Sequence, residues 1–121
     1  MEYLEPKEAI MLFSQSEKIK IGLIWASQML ELISNLTDEE KRGGERIIHS
    51  LLNMVVQEAG LGQRILKRKE WEEIHSSVQK AIIMIDSGVA GEAVYHLTRA
   101  LSKTTNFGNL AMSSLRENNL L

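Results

Sequence analysis

The chain holds three histidines, His49, His75 and His96, and no cysteine. Thiol nucleophiles, thiolate metal sites and disulfides are therefore excluded, and the histidines are the first residues to weigh for proton-transfer, phosphoryl or metal chemistry. Two histidines stand four residues after a glutamate, Glu45 with His49 and Glu92 with His96; on a helix each pair shares a face. Di-metal bundles bring a Glu-x-x-His element from each of two helices into the core, and the chain does not carry two. Ordinary surface pairing is thus the reading for both pairs, with no metal and no other cofactor expected. His75, beside Ile82 on an inner helix face, and His96, near Ala100 at a helix rim, read as packing residues.

His49 invites a sharper expectation. Around it Ile48, Leu51, Leu52, Val55 and Ala59 recur at helical spacing and face inward, whereas His49 sits at the edge of a polar arc with Arg42, Arg46, Asn53 and Gln57. The imidazole is expected within reach of solvent. A neutral imidazole can attack an aspartyl phosphate, and nearby cationic and amide groups steady the transferring phosphoryl group. The segment His49-Ser50-Leu51-Leu52-Asn53 resembles the His-x-x-Lys-Gly motif of histidine phosphotransfer modules at the histidine and at the leucine two residues later. Leu52 and Asn53 stand where that motif has lysine and glycine. The resemblance implies a four-helix bundle with His49 as phosphoacceptor and Arg46 and Asn53 beside it.

The remaining motifs point to contact rather than catalysis. Gly43-Gly44 and Gly60-Leu61-Gly62 lack the strand, lysine and spacing of a phosphate-cradling loop, so nucleotide binding is not expected. The basic run Arg64, Lys67, Arg68 and Lys69 is followed at once by Glu70, Glu72 and Glu73, with no aromatic platform beside it; it reads as a charge-mixed solvated surface. A net charge of -2 adds no global field for nucleic acid or an anionic membrane. The stretch Gly43 to Ile48, with the amphipathic segment Trp71 to Ile85, resembles part of a flagellin export chaperone, although only one long helix precedes the glycine pair here. That resemblance implies a small bundle that binds a partner's helix in an apolar groove.

The elements that must position these residues follow from punctuation. A chain of 121 residues suits one domain that buries roughly two-thirds of its unfolded surface. Pro6 is its sole proline, placed where a first helical turn accepts it. Thr37-Asp38-Glu39-Glu40 spells a capping box. These signals predict an all-α, antiparallel up-down-up-down four-helix bundle with helices over about 6–35, 38–59, 64–87 and 90–117. Gly60-Leu61-Gly62 is expected to end the second helix, and a break in the last is weighed near 106–108. On that last helix Thr104, Gly108 and Ala111 share a face, where another helix can approach closely or where Gly108 simply ends the helix.

The first helix carries an apolar arc wider than the ~100° stripe of a surface helix. It needs either cover on both flanks or a partner on its outer flank, where Trp25, Met29 and Leu32 fall. Those three are the expected interface residues. The sequence thus predicts a non-enzymatic interaction or adaptor protein, a homodimer or a binder of another helical protein, without nucleic-acid or membrane partners. A cytoplasmic setting is expected, since the N-terminus shows no signal-like core and no apolar run nears the ~20 residues of a membrane span.

Overall fold

The computed structural model describes residues 4–120 and consists of four helices, α1 (Pro6–Ile33), α2 (Asp38–Ile65), α3 (Lys69–Asp86) and α4 (Ala90–Glu117). The helices pack as an all-α four-helix bundle. Each start has a local cause. Pro6 opens α1, and Glu5 and Glu8 exchange side-chain and backbone bonds as a capping box. Thr37 accepts a bond from the Glu40 amide at 3.3 Å while Glu40 accepts from the Thr37 amide at 3.2 Å, so two unpaired donors of the first α2 turn are satisfied. That hydrogen bonding to Thr37 also holds the Glu40 carboxyl below its ordinary pKa.

The second helix ends later than the glycines suggest. It runs through Gly60 and Gly62 to Ile65, and α3 begins only at Lys69. Gly62 is needed for packing: a Cβ there would lie 2.8 Å from the Trp71 ring, which rests against the α2 backbone. The glycine with a left-handed backbone is Gly88, at φ 81°, just past the end of α3. The last helix is unbroken through Gly108, where a Cβ would sit 3.6 Å from Ser16 Oγ. Small residues therefore let α4 lie close to α1.

Helix α1 packs on α2 and α4, and α3 packs on α2 and α4, while the diagonal pairs make no such close backbone approach. Neighbours run antiparallel: Gly44 lies against Ile33, Gly22 against Val55, and Gln15 bonds Glu58. The core is filled by side chains such as Leu12, Leu23, Leu52, Ile74 and Leu97. At one end Trp71 meets Phe107 with ring centroids 4.7 Å apart. Buried Thr104 and Ser16 return their hydroxyls to Ala100 and Phe13 carbonyls at 2.7 and 3.0 Å, so neither is a lost donor. Among the described residues no helix is long and apolar enough to cross a membrane.

Candidate functional site

Helix α1 has two neighbours, yet its outer flank stays open. Trp25 is 56 %, Met29 37 % and Leu32 72 % exposed, too much for side chains that serve only the monomer core. Ile21 and Leu36 continue the strip. Beside it, α2 presents Ile47, Leu51, Met54, Leu61 and Ile65, with Ile47 69 % and Met54 61 % exposed. Together with Glu58 these positions are spaced four, three, four, three and four residues apart, the period of a helix-pairing seam. The core-facing seam of α2, Ile48, Leu52, Val55, Ala59 and Gly62, is the same pattern moved on by one residue. Helix α2 thus carries two adjoining seams, and only one is filled.

Between the helices lies a groove of about 320 Å³. Ile19, Gly22 and Val55 form its floor, and Ile21, Trp25, Leu51 and Met54 its walls. A Cβ at Gly22 would lie 3.0 Å from Val55 Cγ2, which shows how closely the helices meet there. Leu51, expected to face inward, is half-buried and turned to this groove. One end is polar. Lys18 Nζ lies 3.6 Å from Glu58 Oε2, and buried Gln15 donates to the Glu58 carboxylate at 2.5 Å and to its carbonyl at 2.8 Å. Tertiary bonds therefore fix where Glu58 stands within an otherwise apolar seam.

The His49 region is built differently. Arg42, Arg46, His49 and Asn53 follow at four, three and four residues along one face of α2, with His49 half-buried and the others exposed. Sequence reading missed the group that holds the imidazole: His49 Nδ1 lies 2.9 Å from Oδ1 of Asp86, at the end of α3. An ionised carboxylate only accepts, so against Asp86 it is Nδ1 that donates. The adjoining hollow is lined by Arg42, Glu45, Arg46, Ile85 and Asp86. Two carboxylates balance its two guanidiniums, leaving little net field for an anion.

The other candidates disperse. His75 lines a small hollow with Gln63, Trp71 and Glu72, and His96 stands edge-on to Tyr95 at 5.2 Å. Glu72 and His75 are the chain's lone Glu-x-x-His spacing. Among the described residues no group of three or more carboxylates and imidazoles is placed to hold a metal ion. The basic run straddles the α2–α3 turn rather than opening α3. Arg68 is drawn inward, with Nη2 3.0 Å from Glu70 Oε2 and Cζ 5.6 Å from the Phe107 ring centroid. Arg68 is thus part of the packing at this turn.

No family model, curated protein or solved structure matches this chain.

Proposed function

We propose that this protein is a non-enzymatic helical interaction protein that pairs with a second copy of itself through the outer face of α1 and α2. The observation that carries this reading is the exposed apolar strip, from Ile21 on α1 to Leu36 in the turn after it and from Ile47 to Ile65 on α2, interrupted by Glu58, with an open groove between the helices. Removing apolar surface from water contributes roughly 25 cal/mol per Å², and exposed patches of this kind mark contact sites. The two apolar stretches run about 24 and 28 Å along helices that together are roughly 20 Å across. The resulting face, roughly 500 Å² on each copy, reaches the ~1,000 Å² in total that a specific interface needs. Trp25, Met29 and Leu32 supply aromatic and flexible apolar contact. The balanced charge in the hollow beside His49 is why the groove, and not the imidazole, is preferred as the working site. A cytoplasmic setting belongs to the same reading, since a cysteine-free chain suits a reducing compartment.

Sedimentation equilibrium over micromolar concentrations tests it. The wild-type chain is expected to sediment as a dimer. Trp25→Glu places a charge at the centre of the contact and should weaken pairing by roughly 2 kcal/mol or more, about thirtyfold, with unchanged helical circular dichroism. A wild-type monomer, or a Trp25→Glu chain that pairs as before, overturns the reading. Unfolding of the variant would return Trp25 to the monomer core.

A further inference from the structure

The polar pair at one end of the groove carries the self-pairing reading further. Two copies can lay their α1–α2 faces together about a two-fold axis that runs either along the helices or across them. Both arrangements form an antiparallel intermolecular four-helix contact. They differ in what meets Lys18 and Glu58, which stand at one level of the face, 3.6 Å apart on neighbouring helices.

An axis along the helices keeps every residue at its own level and sets α1 of one copy against α2 of the other. Lys18 then faces Glu58 of the partner subunit, and the apolar stretch around Trp25 faces the stretch around Leu51 and Met54. An axis across the helices sets α1 on α1 and α2 on α2 and inverts the levels. Centred on the apolar stretch, it buries the Lys18–Glu58 pair of each subunit against apolar side chains, with no charge from the partner to offset the desolvation of that pair. Centred on the polar level, it opposes lysine to lysine and glutamate to glutamate.

From this we infer that the dimer forms about an axis along the helices, with α1 on the partner's α2 and reciprocal Lys18–Glu58 pairs between subunits setting the register. The inference rests on the self-pairing reading and adds its geometry. A charged residue at one position of an apolar seam fixes register in paired helices at some cost in stability. Gln15, holding both the carboxylate and the carbonyl of Glu58, fixes that charge in place before the partner arrives.

Two single variants test the geometry. Lys18→Glu leaves two acidic groups at this level and Glu58→Lys leaves two basic ones, so each variant alone should sediment as a monomer where the wild type is a dimer. Mixed in equal amounts, the two should form a one-to-one heterodimer, because every pair across the contact is then opposite in charge. Repulsion within a subunit is not relieved by mixing, so recovery on mixing reports contact between subunits. A mixture that stays monomeric, or single variants that pair like the wild type, overturns the register and leaves the self-pairing reading standing. A wild-type monomer instead removes that reading and the register with it. Cysteine substitution gives an independent check in this cysteine-free chain. On oxidation, an equal mixture of Lys18→Cys and Glu58→Cys chains should give the mixed disulfide in at least tenfold excess over either homodisulfide; a predominance of homodisulfides excludes the axis along the helices.

Discussion

At the residue scale, Glu70 and Arg68 show how the α2–α3 turn is tied down. Burial pushes the Glu70 carboxyl up, but the Arg68 hydrogen bond, a backbone bond and the charges of Arg68 and Lys69 outweigh it, and the net direction is down. The unfolded value lies near the ordinary carboxylate pKa of about 4.3. A carboxyl whose folded pKa is depressed adds stability above the unfolded value, and that stability is lost as pH falls through the lower folded value. With Glu70 partly exposed, the contribution at neutral pH is under about 1 kcal/mol. Glu70→Gln should therefore lower urea stability slightly at pH 7 and flatten the decline between pH 5 and pH 3. Parallel declines for variant and wild type would exclude this role. His49 marks how far residue types alone could be followed. Its polar neighbours on α2 were legible because they share one helix, whereas Asp86, 37 residues away, reaches it through the packing of α3 on α2.

At the element scale, two glycines on one helix separate packing from punctuation. Around Gly60 a Cβ would meet nothing within 4 Å, while at Gly62 it would lie 2.8 Å from the rigid, buried Trp71 ring. Glycine inside a helix costs roughly 0.5–1 kcal/mol relative to alanine. Gly60→Ala should therefore stabilise the chain by about that amount, and Gly62→Ala should destabilise it by about 1–3 kcal/mol through overpacking. Chemical denaturation of the two variants checks both signs, and two shifts in the same direction would refute the packing account. The same pair explains the misread end of α2. Gly-Leu-Gly is a helix-stop pattern when judged locally, and only the indole lying against Gly62 shows that this position serves packing inside a helix. The starts of α1 and α2 were legible because Pro6 and the Thr37–Glu40 box act within one turn. The exposed flank of α1 was legible from its over-wide apolar arc. The open seam of α2 was not, because it adjoins the core seam and a helical wheel merges the two, placing Leu51 inside.

At the scale of the whole molecule, the four helices form a ring in which the α1–α2 and α3–α4 faces differ in character. The α1–α2 face is apolar, whereas the groove between α3 and α4 is lined by Lys69, Lys80, Arg99 and Lys103 together with Glu72 and Glu73, with Lys103 Nζ 2.5 Å from Glu73 Oε2. A self-complementary face closes a two-fold contact. Pairing of that kind links stability to concentration, since mass action favours the dimer over the unfolded chain. A tenfold rise in concentration changes the balance by about 1.4 kcal/mol per dimer. For a dimer of this size that raises Tm by roughly 3–5 °C. Wild-type Tm, followed by circular dichroism at helix wavelengths over a hundredfold range of concentration, is expected to climb accordingly. The Tm of Trp25→Glu should stay flat, because the monomer bundle retains its core of Leu12, Leu23, Ile74 and Leu97. A flat wild-type curve would mean that the apolar face separates before the bundle melts, and the contact would then add nothing to the stability of the fold.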